Sequence, residues 1–341
     1  MTMNATETVI SRDWMLWISE NLLRGCTPTS MLQTMTAAGL DPVATRQALE
    51  EINAGPVMQA ARRHQQMTRK LESVMLNQCR LQQFSPSFSV VERRKGLSNK
   101  ELFEDYFLTN RPVIVTDMAE HWPALQKWSP HYLKATFGDV EVEVQQGRST
   151  DKNYEQNKLA LRKKMPLGAF VDLIETYGSS NDLYMTANNE ALKSGPLASL
   201  LDDIGPLPAY LSPENLIQNT FLWFGPAGTV TPLHHDTVHL FHLQVMGRKR
   251  WRFISPMQTP LVYNFNQVFS QVDLEAPDLA RFPLFAQATI IDAVVEPGEA
   301  LFLPLAWWHH VRSLDTCISL SFSNLRLPGT FEFQNPSNPH W

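Results

Sequence analysis

The sequence predicts a mainly β protein, a barrel or sandwich with flanking helices, preceded by an α-helical region. Two observations carry this. Residues 1–83 repeat apolar positions at helical spacing, and from Leu216 onward short β-branched and aromatic runs are separated by Gly and Pro turns. The expected division is therefore a helical region over 1–83 and a β domain over 84–341.

"SRDWMLWISENLL" opens with Ser11 as a cap and repeats Trp14, Trp17, Ile18 and Leu22 at helical spacing. "TPTSMLQTMTAAGL" and "DPVATRQALEEI" give two further short helices, each behind a Thr or Asp, with Pro28 and Pro42 in first-turn positions and Gly39 as a stop. A longer helix follows from Val57 to Gln83, expected to pack or to form a homodimer contact. "FSPSFSVVERRKGLSNKELFEDYFLTNRPVIV" then breaks the helix, starts a new one over "NKELFEDYFL" and enters a strand at "RPVIV". "GDVEVEVQQG" alternates Val140, Val142 and Val144 with Glu141, Glu143 and Gln145, a strand with two unlike faces. "NTFLWFG", "TVTPLHHD", "LFHLQVMG", "KRWRFIS", "AVVEPGEALFLP", "HHVRSLD" and "CISLSFSNL" supply the later strands.

Composition removes several classes. A net charge of −5 offers no basic field for nucleic acid. No run approaches the roughly 20 apolar residues of a membrane span. Three widely spaced cysteines do not make a disulfide framework, and the first residues lack the basic-then-apolar order of a signal peptide. The expectation is a cytoplasmic globular protein.

The chemistry is concentrated in "TPLHHDTVHLFHLQVMGRKRW", which holds four of the chain's ten histidines. In a strand, residues two apart share a face, so His234 and Asp236 point one way and His235 the other. Two ligands hold a catalytic metal poorly. "PLAWWHHVRSL" supplies a third, and from the residues alone either His309 or His310 could serve. Two His and one carboxylate on one side of an ion leave the remaining positions open, the facial arrangement of non-haem Fe(II) oxygenases. His239 and His242 read as pocket lining or satisfied polar core.

Over roughly Phe84–Leu325 the chain resembles the JmjC-type, cupin-like 2-oxoglutarate oxygenases. The motifs are "NRPVIVTDMAEHWPALQKW", "LYMTANN", "FLWFGPAGTVTPLHHD", "QVMGRKRWRFISP", "SQVDLEAPDLARFP", "VVEPGEALFLPLAWWHHVRSLD" and "SLSFSNL", in that order. The resemblance implies a double-stranded β-helix (a jelly roll), bound Fe(II), 2-oxoglutarate as cosubstrate and dioxygen as oxidant. It favours His309 over His310 as third ligand. It further implies hydroxylation of an amino-acid side chain in a protein or peptide. N-methyl-lysine demethylation, tRNA modification and a non-catalytic metal-binding module are the alternatives.

A chelating 2-oxo acid needs a cation for its far carboxylate. Lys249, flanked on its own face by Trp251 and Phe253, suits that role by charge-assisted pairing. Thr231 and Tyr184 map onto hydroxyl positions of the cosubstrate pocket in the resembling hydroxylases. Those hydroxylases carry Asn six residues beyond the first ligand, where this chain has Leu240; His239 or Asn188 would compensate, or the pocket is drier there. Glu143, on the strand that walls the substrate channel in arginyl-hydroxylase members, is the candidate contact for a cationic substrate side chain, with His239 and Asn188 beside it.

Overall fold

The structure, a computed structural model, describes residues 9–327 except 194 and 267; the side chains of Asn188, Phe265 and Asn266 also lie outside the described set. The chain divides into two compact units, residues 1–78 and 79–341.

In the first unit, helices α1 (Arg12–Arg24), α2 (Pro28–Ala37) and α3 (Pro42–Ala54) start where the sequence supplies an acceptor. Ser11 Oγ takes the Trp14 N–H, Thr27 Oγ1 that of Ser30, and the Asp41 carboxylate those of Val43 and Ala44. Ile18, Leu22, Met31, Met35, Leu40 and Leu49 form a small core with Met58 of α4 (Pro56–Gln82). Farther along α4, Met67, Leu71 and Val74 are exposed.

The second unit is built on two six-stranded sheets. One runs β1 (Glu92–Arg94), β2 (Val113–Val115), β13 (Ala300–Leu303), β8 (Leu240–Met246), β15 (Cys317–Phe322), β6 (Thr220–Gly225). The other runs β10 (Asn264–Asn266), β11 (Phe269–Ser270), β7 (Val230–His235), β14 (Trp308–Ser313), β9 (Lys249–Ile254), β12 (Ile291–Val295). Strands β6, β8, β13 and β15 belong to the first sheet and β7, β9, β12 and β14 to the second, and every pairing among these eight is antiparallel. That alternation between two facing sheets is the expected double-stranded β-helix. A third sheet orders β4 (Arg162–Pro166), β3 (Glu141–Gln146), β5 (Leu183–Tyr184).

Core packing follows the pleat. Trp251, Phe253 and Val311 of the second sheet meet Ile114, Leu301 and Leu303 of the first between the sheets. On the outer side of the second sheet, Leu233, Ile254 and Trp308 pack under Val262, Val272, Leu274, Phe282 and Phe285. Outside the first sheet, Phe224, Phe241, Phe302 and Phe322 join the buried face of helix Leu167–Tyr177 and the inward valines Val142 and Val144 of β3.

Two local details position the site. The β8–β9 turn requires Gly247: its φ is +71°, and a Cβ there would meet Thr316 O at 2.2 Å. This tight turn delivers Lys249 to the start of β9. The helix expected over "NKELFEDYFL" is a short α segment, Asn99–Glu101, that widens into a π-helix over Leu102–Phe107. The wider turn buries Leu102, Tyr106 and Phe107 together, which a straight α-helix would spread around its surface.

Candidate metal centre

His234 and His309 are direct cross-strand partners on β7 and β14, with ring centroids 4.0 Å apart. Asp236 lies just past the end of β7. Its backbone carbonyl accepts the Ala306 N–H at 3.1 Å, and Ala306 takes a left-handed φ of 67° in the turn that leads into β14. That bond holds the aspartate loop against the "WWHH" turn. Among the described residues, His234, Asp236 and His309 are the group of three ligand types whose ligand atoms lie within 4.8 Å of one another. His309 Nε2 is 3.6 Å from Asp236 Oδ2, a span that two ligands about 2.1 Å from a common ion can close.

Both imidazoles are oriented by the backbone. His234 Nδ1 is 2.8 Å from Pro232 O, and His309 Nδ1 is 2.9 Å from Trp307 O. A carbonyl only accepts, so each Nδ1 carries the hydrogen and each Nε2 presents its lone pair toward the centre. Phe269 stacks on His234 and Trp251 on His309, at 5.8 and 5.6 Å between centroids. Burial, together with the charge of His234, pushes His309 well below the usual imidazole range, and burial raises the Asp236 carboxyl. These are donors set to bind a cation in place of protons. The residues therefore fit a divalent transition-metal ion with two N and one O ligand and an open side.

The neighbouring histidines go elsewhere. His235 faces the outer core, where its ring meets Trp308 edge-on at 4.8 Å. His310 pairs with Arg252 across the β14–β9 ladder and accepts from its guanidinium at 3.2 Å. Burial and the Arg252 charge push His310 down to about 3. Glu275 binds Arg252, and also Arg312 at 2.7 Å, so the outer side of β14 is an ion-pair clamp. Consequently His310→Ala is expected to keep metal affinity while costing about 1–3 kcal/mol of stability, the penalty for unpartnering buried polar groups. Metal titration and denaturant unfolding would check this; loss of metal with His310→Ala, and retention with His309→Ala, would reverse the assignment.

Thr231 reaches the inner face through an irregularity. Strict alternation would set it opposite His234, three residues away. The register runs His309↔His234 and then Val311↔Thr231, so β7 spends three residues where β14 spends two. This β-bulge contains Pro232, which has no N–H to give the ladder. Because cross-strand partners share a face, Thr231 returns to the side of His234, Val311 and Trp251.

Lys249 lies on that same face, opposite Ser313, and is 1% exposed. Its Nζ reaches Ser319 Oγ at 2.7 Å, Tyr184 OH at 3.3 Å and His242 Nε2 at 3.5 Å. No carboxylate among the described residues forms an ion pair with it. Burial brings its pKa down to about 8 and raises that of the Tyr184 phenol. An ammonium this deep without an anion is costly unless a ligand supplies one. The fit for a carboxylate follows from that orphaned charge. Leu240, two residues before His242 on β8, packs against the apolar cluster of Trp251, Phe253 and Val311, so this wall is apolar.

The candidate substrate residues lie on three different elements. Glu143 sits beside a surface cleft of about 620 Å³ lined by Glu141, Arg162, Lys164, Glu190, Lys193 and Phe221. Each acid has a base from the chain itself: Glu143 with Arg162 at 3.0 Å, Glu141 with Lys164 at 3.1 Å and Glu190 with Lys193 at 2.8 Å. Glu143, expected from the sequence to meet a cationic substrate side chain, is thus ion-paired within the chain, since β4 brings Arg162 and Lys164 alongside β3. His239 packs between Phe107 and Phe302, and its Nδ1 accepts the Leu305 N–H at 3.1 Å. Asn188 is in the short turn Ala187–Asn189, and its side chain lies outside the described residues.

Sequence reasoning passed over Arg148. Its guanidinium is buried, bonding Asn181 O, Val230 O, Gln145 and Glu155, and it lies 4.3 Å from the Tyr154 ring and 5.3 Å from that of Tyr184. It ties the end of β3 to β7 and supports the phenol beside Lys249. The only local signal was an Arg closing the strand "VEVEVQQGR".

Comparison with known proteins places this geometry. Residues 99–322 match the cupin-like domain family. The chain is 35% identical over 235 residues to lysine-specific demethylase 8 of Xenopus tropicalis, covering 65% of this chain and 50% of that protein. It is 35% identical over 242 residues to lysine-specific demethylase JMJ30 of Arabidopsis thaliana, covering 68% and 54%. It is 29% identical over 249 residues to the human bifunctional peptidase and (3S)-lysyl hydroxylase JMJD7, covering 64% and 79%. The chain thus spans about half the length of the first two.

Proposed function

The chain belongs to the JmjC-type cupin-like family, and on that premise we propose that it is an Fe(II)- and 2-oxoglutarate-dependent oxygenase. Its reaction is hydroxylation of an amino-acid side chain in a protein or peptide. The observation that carries this reading is one shared inner face: His234, His309 and Thr231 stand on it with the buried Lys249, which pairs with no carboxylate among the described residues. A metal centre at one end and an orphaned ammonium farther along suit a 2-oxo acid with a second carboxylate.

When bound, the iron supplies the site at which the 2-oxo acid and dioxygen are activated for C–H oxidation. The residues of the chain do the rest. His234, Asp236 and His309 would hold the ion through two imidazole nitrogens and one carboxylate. Lys249 and Tyr184 take the far carboxylate and so fix the cosubstrate's register. Trp251, Phe253, Val311 and Leu240 exclude water from the barrel interior. No helix among the described residues is long and apolar enough to cross a membrane, and the proposed substrate is a protein or peptide.

The lead test is succinate release with Fe(II), 2-oxoglutarate and candidate peptides, with mass spectrometry for one added oxygen. Two relatives named lysine-specific demethylases favour a second reading, N-methyl-lysine demethylation. Formaldehyde release instead of a retained oxygen would select it. In either case the cleft beside β3 fits a cationic side chain that displaces Arg162, itself partly exposed, from Glu143. Phe221 of that cleft, on β6, stands on the same sheet face as Ser321 of β15 and His242 of β8. Glu143→Gln is therefore expected to weaken turnover of a Lys or Arg peptide about tenfold, with substrate-independent 2-oxoglutarate turnover intact. The figure is about that of one charge-assisted bond. Equal handling of a cationic peptide by the Gln variant would remove Glu143 from substrate recognition.

A further inference from the structure

The ammonium of Lys249 is not the only polar group at its site. Four strands bring polar side chains to one point: Tyr184 from β5, His242 from β8, Lys249 from β9 and Ser319 from β15. The His242 ring has a hydrogen-bond path on its Nδ1 side. Trp223 Nε1, a donor only, gives its hydrogen to Ser321 Oγ at 2.9 Å, and Ser321 Oγ lies 3.0 Å from His242 Nδ1. With the indole donating to it, the Ser321 hydroxyl is free to pass its own hydrogen to Nδ1. In that tautomer Nε2 carries the ring hydrogen; in the other, Nε2 accepts from the Lys249 ammonium 3.5 Å away. An anion at Nζ favours the first, because the Ser321 hydrogen then satisfies Nδ1 and Nε2–H becomes a second donor beside the ammonium.

Register places His242 inside the barrel by the same pleat as Leu240: the two face Leu301 and Leu303 of β13. Leu240 meets the apolar cluster, while His242, 4% exposed, meets Trp251 at 4.9 Å and the serines of β15. The polar end and the apolar end of this wall are therefore two residues apart on one strand. Burial, and then the Lys249 charge, drive His242 well below the usual imidazole range, so it stands there neutral. A neutral ring beside the ammonium can give an anion a hydrogen bond without adding a second positive charge to the site.

We propose that His242 is a specificity-determining residue of the cosubstrate site, its Nε2–H binding the far carboxylate alongside Lys249 and Tyr184. The inference rests on the 2-oxoglutarate reading above and assigns a recognition role to a histidine that the metal does not use. His242 selects a 2-oxo acid bearing a second carboxylate against one without it.

The test measures binding to the full chain loaded with Mn(II), by calorimetry, for two probes. One is 2-oxoglutarate; the other is 2-oxobutyrate, which keeps the chelating end and lacks the far carboxylate. His242→Leu is expected to weaken 2-oxoglutarate about ten- to a hundredfold, the loss of one hydrogen bond to a charged group, and to change 2-oxobutyrate by less than about twofold. His242→Gln, which restores an N–H donor, is expected to recover most of the affinity. Equal losses for both probes would mean that His242 only supports the fold, and no loss for either would mean that it lies outside the site; both overturn the proposal. If the wild-type protein binds 2-oxoglutarate no better than 2-oxobutyrate and Lys249→Met changes neither, the cosubstrate reading itself fails, a result distinct from failure at His242 alone.

Discussion

Asp236→Ala is expected to strip the metal and abolish turnover while leaving a folded protein at least as stable as the wild-type apoprotein. The carboxylate is the only oxygen ligand of the triad and the only charge that offsets the ion. Even changes in the outer shell of such sites cost ten- to a hundredfold in metal affinity, so loss of a direct ligand should exceed about a hundredfold. The stability half follows from burial, which raises the Asp236 carboxyl above its ordinary range. A carboxylate whose folded pKa lies above its unfolded one loses stability as pH rises through that window. Removing it from the metal-free protein therefore removes a cost. Metal titration with Mn(II) and denaturant unfolding of both apoproteins would check the pair of effects. A well-folded variant that still binds metal with wild-type affinity would take Asp236 out of the site.

Lys249→Met carries the second large effect, and it has two opposite signs. Without ligand the variant should be more stable. The ammonium falls from 10.5 to about 8 on burial, so between those values the unfolded chain binds a proton that the folded chain does not. Stability of the wild-type apoprotein then rises as pH goes from 8 to 10.5. Below that window the full cost is present, on the order of 3 kcal/mol at pH 7. Methionine keeps most of the volume and none of the charge. With saturating 2-oxoglutarate the order should reverse: the wild type gains about 2.7 kcal/mol at a ligand concentration of 100 Kd, and the variant gains little. Unfolding at pH 7 with and without cosubstrate measures both. A variant destabilised without ligand, or stabilised by 2-oxoglutarate as much as the wild type, would show that the ammonium has another partner.

Much of the fold was legible because its signals are local. The caps at Ser11, Thr27 and Asp41 and the alternation in "VEVEVQ" each depend on a few neighbouring residues. The ligand types were legible for the same reason: a His, a carboxylate two residues on, and a second His pair behind two tryptophans. The π-helical widening at Leu102–Phe107 was not, since it answers to what Tyr106 and Phe107 bury against. Nor was the neutralisation of Glu143, which comes from a base on the neighbouring strand 19 positions along the chain (162 − 143).

The sequence by itself determined most strands of the two large sheets, their two-faced character and the residue types available for a metal and a carboxylate, whereas β4 (Arg162–Pro166) went unread and "AVVEPGEALFLP" is two strands, β12 and β13, in different sheets. Only the tertiary structure decided which of those residues meet. Period-two alternation sets the phase of side chains within one strand, but the phase between strands is set by register. Register depends on partners far away in sequence. A single extra residue at the Pro232 bulge turns Thr231 toward His234. The pairing His309↔His234 leaves His310 on the outside with Arg252 and Glu275. The facing of the two sheets brings His242 of β8 next to Lys249 of β9, although nothing in "LFHLQVMGRK" distinguishes that histidine from its neighbours. A strand carries its own pattern, and the pairing of strands chooses what that pattern is for.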